Sequence, residues 1–232
     1  MKKRSKRFKN LIETKNKEKK LTPKEIIELV KKNANTSFEE SIDVSLRINL
    51  KQTKGGDFSL RTVVNLPNGS GKKNKIAALC EPDKIDQAKK AGADVVGSDD
   101  LIEKIAAGKF NFTKLVCTPA MMGKIGKHGK VLGPKGLMPN PKLGTVTSDI
   151  TKAVNEAKAG QAEIRNDKDG NIGVSIGKKS FEDEKLIKNY KAVIEALEKE
   201  KSNLTIKGDL VKQVFITSSM GVSYKVKLEK SI

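Results

Sequence analysis

The sequence predicts an α/β protein of two domains, one assembled from both chain ends and the other inserted between them as a small parallel-sheet unit. Three observations carry this reading. Near both ends apolar residues alternate with polar ones, as in Ile42, Val44, Leu46 and Ile48 and again in Val222, Tyr224, Val226 and Leu228, the period of a strand buried on one face. The middle holds short continuous apolar runs separated by helical stretches, which is what a parallel sheet covered on both faces requires. The length of 232 residues suits one large domain or two modest ones at roughly 100–200 residues each.

The elements follow in order. Lys2, Lys3, Arg4, Lys6, Arg7 and Lys9 precede the apolar pair Leu11 and Ile12, giving a short basic helix. Thr22, Pro23 and Glu25 then supply a hydroxyl cap, a proline at the first helical position and a glutamate three residues after the cap, so a helix runs from there to about Lys32. Ile42 to Ile48 and Leu60 to Leu66 read as two half-buried antiparallel strands joined through the Lys54-Gly55-Gly56-Asp57 turn. At Pro67 the pattern changes. Ile76 to Cys80, Asp94 to Val96 and Leu115 to Cys117 are strands, with helices over Asp83 to Ala91 and Asp99 to Ala107, a small doubly wound unit. A Gly/Pro/Lys-rich stretch from Gly123 to Val146 follows, then a helix capped by Ser148 that ends at Gly160.

Alternation resumes after Gly160. Ala162 and Ile164 lead into the turn Asn166-Asp167-Lys168-Asp169-Gly170, and Ile172, Val174 and Ile176 return as the second arm of a hairpin. Leu186, Ile187, Tyr190, Val193, Ile194 and Leu197 stand at helical spacing, and two strands close the chain. Residues 1–66 and 160–232 therefore form one discontinuous outer domain and 67–159 the insert. The crossings near Pro67 and Gly160 are expected to act as a hinge.

Composition narrows the function. Lys and Arg number 47 against 28 Asp and Glu, a formal net charge of +19, which calls for a polyanionic partner. Trp is absent and only two Tyr and seven Phe are present, too few for stacking many splayed bases, so a folded nucleic acid fits better than a single strand. The insert holds 16 Lys and no Arg, whereas Arg4, Arg7, Arg47, Arg61 and Arg165 all lie outside it. Arginine's planar fork is the better ligand for phosphate and base edges, which places the main nucleic-acid surface on the outer domain. Surface ion pairing is the alternative for Arg47 and Arg61.

Cys80 and Cys117 stand in no CxxC pairing, so neither a zinc site nor a disulfide framework is expected, and no cofactor is implied. No apolar run of about 18 residues suggests a membrane span, and the basic start lacks the apolar segment of a secretory signal; a cytoplasmic protein is expected. Gly69-Ser70-Gly71-Lys72 ends like a phosphate loop, but Leu66 stands where the first glycine is required. His128 has no nucleophile or carboxylate companion. Gly126-Lys127-His128-Gly129 and Gly133-Pro134-Lys135-Gly136 each match a GxxG clamp, but the prolines favour a rigid basic loop, its glycines at positive φ and Lys127, Lys130, Lys135 and Lys142 near phosphate. Ser218-Ser219-Met220-Gly221 interrupts two strands; it is read as a plain hairpin loop or as a surface whose hydroxyls and amides are free to bond sugar 2′-hydroxyls, and the charge favours the second.

Three blocks, LGPKGLMPNPKLGTV from Leu132, KAGQAEIRNDKDG from Lys158 and SSMG from Ser218, resemble in that order the bacterial family of large-subunit ribosomal protein L-one. AGADVVG from Ala91 and FEESIDVSLRI from Phe38 fit as well, so the likeness spans nearly the whole chain. It implies an outer domain of split β-α-β type, similar to ferredoxin and RNA-recognition folds, with a Rossmann-like insert and no enzymatic activity. It implies contacts to large-subunit ribosomal RNA from Phe38, from Arg165, Asn166, Asp167 and Lys168, and from Thr217, Ser218, Ser219, Met220 and Gly221, to which the basic Arg4 and Arg7 are added. Transfer RNA at the ribosomal exit site and the leader of its own operon mRNA are the further partners implied, for a chain monomeric when free. The chain departs from the family pattern at Ser37, Ser219 and Val222, where lysine, threonine and proline are usual. A non-ribosomal RNA chaperone and a nucleotide-binding enzyme are the rival readings.

Overall fold

The computed structural model describes residues 5–16, 21–49, 60–108, 110–203 and 209–227. Arg4 and the Lys54-Gly55-Gly56-Asp57 turn lie outside them. The chain divides into two compact units, Met1–Gly71 with Ala162–Ile232 and Lys72–Gln161, here the outer unit and the insert.

In the outer unit, β1 (Ser41–Ile48) lies between β7 (Asn171–Lys178) and β8 (Val211–Ser218), antiparallel to both, and β9 (Tyr224–Lys225) pairs with β8 at the edge. β7 and β8 therefore run parallel to each other and are joined through α8 (Asp183–Asn203). A β-α-β crossover with a third strand slotted between its arms is the split β-α-β arrangement. Every second residue of β1, from Ile42 to Ile48, is buried against α2 (Pro23–Asn33) and α8, which contribute Ile26, Ile27 and Val30 and Leu186, Val193 and Leu197. The capping box forms as its residues predict: the Thr22 hydroxyl accepts from the Glu25 N–H and the Glu25 carboxylate accepts from the Thr22 N–H at 2.8 Å. The basic N-terminal helix is α1 (Lys6–Asn16).

Two pairings differ from the expectation. β2 (Arg61–Asn65) does not pair with β1 but with β6 (Gln161–Arg165) in a separate two-stranded sheet. A strand with four fully shielded apolar residues needs neighbours on both sides, and the C-terminal half supplies both. β6 and β7 likewise do not make a full hairpin, because their antiparallel pairing is reduced to a single bridge, Asn166 to Ile172. Asn166 extends the pairing of β6 with β2 instead: its N–H donates to the Leu60 carbonyl at 3.2 Å and its side-chain oxygen accepts from the Leu60 N–H at 2.5 Å.

The insert is a three-stranded parallel sheet in the order β4-β3-β5, with β3 (Ile76–Leu79), β4 (Val95–Gly97) and β5 (Lys114–Cys117). Ile76, Ala78, Cys80 and Val116 face α3 (Ile85–Lys90) and α7 (Ile150–Lys158), while Ala77, Leu79, Leu115 and Cys117 face α4 (Asp99–Ala106) and α5 (Pro119–Gly126). Both faces are covered, as the continuous apolar runs require. The two cysteines sit on opposite sides of this sheet, buried and free. Asp149, not Ser148, caps α7, its carboxylate accepting from the Lys152 N–H at 3.2 Å.

The Gly/Pro/Lys-rich stretch is more regular than a loop. It opens with α5 and α6 (Gly129–Leu132), and Val146 returns beside Cys117 as a parallel bridge. Leu132 is fully buried, and Leu137 and Met138 pack on the same core. Gly136 and Gly144 adopt positive φ, but Gly133 is helical at −58°. Gly133 is small for another reason: a Cβ there would meet the Gly129 carbonyl oxygen at 2.8 Å.

The Pro67 crossing is pinned within the outer unit. Asn189 of α8 accepts from the Asn68 N–H at 3.1 Å and donates to the Gly69 and Ile176 carbonyls at 2.9 and 2.7 Å. The chain therefore leaves the outer unit after Gly71 and not at Pro67. Gly160, with φ 97°, ends α7 one residue after its cap.

Candidate nucleic-acid interface

The residues singled out in the outer unit fall into two groups at opposite ends of β1. Ser41 begins the strand beside Ser219, and Ile48 ends it beside the turn, its N–H donating to the Gly170 carbonyl at 2.8 Å. Eight residues at about 3.4 Å per step put some 20 Å or more between the ends. Phe38, Thr217, Ser218, Ser219, Met220, Gly221 and Arg7 gather at the first; Arg165, Asn166, Asp167 and Lys168 gather at the second.

The first group is a braced loop. Met220 is 51% exposed and Phe38 52%, and they are the exposed large hydrophobic side chains among the described residues. At half exposure each forgoes roughly half of the about 1.5–3 kcal/mol that full burial contributes. The two loops that carry them are joined through one buried residue. That residue is Glu40, wholly shielded from solvent. It accepts from the Met220 N–H at 3.0 Å and from the Thr36 hydroxyl at 2.9 Å. Burial pushes its carboxyl up, but hydrogen bonds led by the Met220 N–H outweigh this and hold it below the usual carboxylate range.

Other polar groups of the loop are also engaged inside the protein. Ser219 donates its N–H to the Ser41 carbonyl at 3.1 Å, and its hydroxyl accepts from the Ser41 N–H at 3.0 Å. The Gly221 N–H donates to the Ser218 carbonyl at 3.2 Å. The expectation of free amides along this loop is therefore corrected: a loop interrupting a sheet has orphan backbone groups, and here β1 and Glu40 take them up. The Ser218 hydroxyl is buried on the Glu40 side of the loop and helps to hold that carboxyl below its ordinary value. A Cβ at Gly221 would collide with the hydroxyl, which is why glycine stands there. Arg7 reaches the loop from α1, donating to the Met220 carbonyl at 2.7 Å and to the Asn35 side-chain oxygen at 3.1 Å.

The second group is an Asx turn carrying cations. The Asp167 carboxylate accepts from the Asp169 N–H at 3.0 Å, the Asn171 N–H at 2.7 Å and the Asn171 side-chain amide at 3.0 Å. The Asn171 bonds lead in holding the Asp167 carboxyl below its ordinary value. Asn166 is buried and spends its side chain on Leu60 and on the Asp167 carbonyl. These two residues build the turn. Arg165 and Lys168 are exposed, and among the described residues they form no ion pair. Arg47, exposed, stands opposite Asn171 at the same end. Among the described residues Arg61 is the ion-paired arginine, 2.6 Å from Glu163.

Between the groups, the sheet face away from the helices carries Asp43, Ser45, Arg47, Gly173, Ser175, Gln213, Phe215 and Thr217, as the register aligns them. One ring, Phe215, is no stacking platform; small polar groups dominate, as suits contact with sugars and phosphates. In the insert, Lys127, Lys130, Lys135 and Lys142 are all exposed, Lys135 lying over the Phe110 ring at 3.8 Å. His128 caps α6 through its backbone. Among the described residues no group of His, Cys, Asp and Glu could hold a metal ion, and no helix is long and apolar enough to cross a membrane.

Sequence reasoning missed Glu40 and Asn189. Each carried a faint signal: an acidic residue directly before a strand in a basic chain, and an amide three residues after the buried Leu186.

A split β-α-β unit carrying exposed apolar side chains and exposed cations, interrupted by a doubly wound insert, defines a two-unit protein of the α/β class. Comparison with known proteins makes this specific. The pattern of the Ribosomal protein L1p/L10e family matches residues 30–222. The chain is 64% identical over 231 residues to the large ribosomal subunit protein uL1 of Pelagibacter ubique, covering 98% of this chain and 99% of that one. It is 45% identical over 230 residues to the large ribosomal subunit protein uL1 of Prochlorococcus marinus strain NATL1A, covering 99% and 97%. The chain belongs to the ribosomal protein L1p/L10e family, and it is not an enzyme. The nucleotide-binding enzyme reading is thereby set aside.

Proposed function

We propose that this chain is a structural constituent of the large ribosomal subunit, in the cytoplasm, and that its outer unit binds large-subunit ribosomal RNA. The carrying observation is the pair of exposed apolar side chains, Phe38 and Met220, on loops joined through the buried Glu40. Shape at that end of the sheet supplies recognition, and Arg165 and Lys168 at the other supply charge. Exposed lysines of the insert, Lys127, Lys130, Lys135 and Lys142, form a second basic surface suited to transfer RNA leaving the ribosome. Binding a leader of its own mRNA that mimics the ribosomal site would use the same outer surface and make the chain a translational repressor.

Sedimentation of the full chain with purified large subunits at moderate salt tests this. Stoichiometric co-sedimentation that survives about 0.2 M salt is expected, because a specific complex keeps contacts that counterion release alone does not supply. Dissociation at that salt, with equal affinity for unrelated folded RNA, would favour a free RNA chaperone.

A further inference from the structure

The Met220 peptide is held from both sides. Its N–H donates to Glu40 and its carbonyl accepts from Arg7, at 3.0 and 2.7 Å. Glu40 is fully buried, and among the described residues no lysine or arginine pairs with it. A carboxylate shut away from water without a counter-ion is costly and needs full hydrogen bonding. What it holds is the loop: Met220 on one oxygen, Thr36 on the other. The single Thr36 hydroxyl proton is shared between Glu40 at 2.9 Å and the Phe38 carbonyl at 3.1 Å, so the buried carboxylate bonds to the Met220 amide and to the residue that also lies against Phe38.

The sign of its charge argues in the same direction. An anion directly beneath a surface that meets RNA repels the partner, so a carboxylate with no other role would weaken the complex. Arg7 has the opposite sign but the same constraint. Its two terminal nitrogens are directed at Met220 and Asn35, so two of the five guanidinium N–H groups are spent on the loop and the plane of the group is fixed by the protein.

We propose that Glu40 and Arg7 are positioning residues for RNA recognition: together they clamp the Met220 peptide, so that the Met220 side chain stands in solvent as a preformed knob beside Phe38. In this proposal Arg7 acts by bracing the loop, a role that the salt slope separates from that of a phosphate ligand. The proposal rests on the RNA-binding reading of the Thr217 to Gly221 loop.

The test is a salt series of affinities for the cognate fragment of large-subunit ribosomal RNA, measured with the full chain and its variants. Glu40→Leu, which removes charge and acceptors at similar size, should weaken binding about tenfold, the value of a lost charge-assisted hydrogen bond, with the salt slope unchanged. Arg7→Gln should also weaken binding at unchanged slope. Tighter or equal binding by Glu40→Leu would overturn the proposal, as would an Arg7→Gln slope reduced by about one, the signature of a lost phosphate contact. Should Glu40→Leu fail to fold, Glu40→Gln replaces it; weaker binding with faster hydrogen exchange at the Met220 amide supports the clamp, and tighter binding overturns it. Met220→Asp separates the layers. If it too binds normally, the RNA reading of the loop fails; if it alone is defective, only the clamp fails.

Discussion

The two ends of β1 present opposite solutions to meeting a polyanion. At the Ser41 end the polar groups are turned inward, on Glu40, Ser41 and Arg7, and what faces solvent is apolar, Met220 and Phe38. At the Ile48 end the carboxylate and amides of Asp167, Asn166 and Asn171 fold the turn, and what faces solvent is cationic, Arg165 and Lys168. Internal hydrogen bonding is equally dense at both ends, so rigidity is shared and chemistry is not. An apolar knob discriminates by fit, because it gains only where the partner excludes water from it. A free cation adds affinity to any phosphate backbone. The difference assigns specificity to the first end and strength to the second.

This division can be broken by mutation. Met220→Asp places an anion on the knob and should weaken binding to the cognate ribosomal RNA fragment by at least about 30-fold, or ~2 kcal/mol, as expected for a central contact residue. Unrelated folded RNA should be bound nearly as before. A loss within about 1 kcal/mol on the cognate fragment would remove the loop from the recognition centre. The smaller effect belongs to the turn. Lys168→Ala should weaken cognate and unrelated RNA alike by about threefold and reduce the salt slope by about one. An unchanged slope would strike Lys168 from the phosphate contacts and leave the second end without its assigned part.

Much of this was legible in the sequence, for reasons that also explain what was not. The parallel insert was visible because continuous apolar runs such as Ile76 to Cys80 have few other folded outcomes. The capping box at Thr22 was visible because its signal is local. Strand partners were not. Alternation in β1 and β2 says that each is half-buried and nothing about which strand lies beside it, so a local hairpin was read where β1 pairs with β7 and β8 from the other end of the chain. The site was legible in the same uneven way. Met220 and Phe38 could be named, and the family resemblance placed them in one RNA-binding surface. Glu40 could not, because its role depends on an amide 180 residues away. Asn166 and Asp167 enter the expected RNA contacts through the family resemblance. Their side chains build the turn that presents Arg165 and Lys168.

Hydrogen exchange of the full chain, free and bound to the large-subunit ribosomal RNA fragment, tests the central claim most directly. Protection should appear at both ends of β1, over residues 36–41 and 217–221 and over 165–170, all in the outer unit. Protection confined to the lysine-rich segment of the insert, residues 123–146, with both ends of β1 unchanged, would contradict the account.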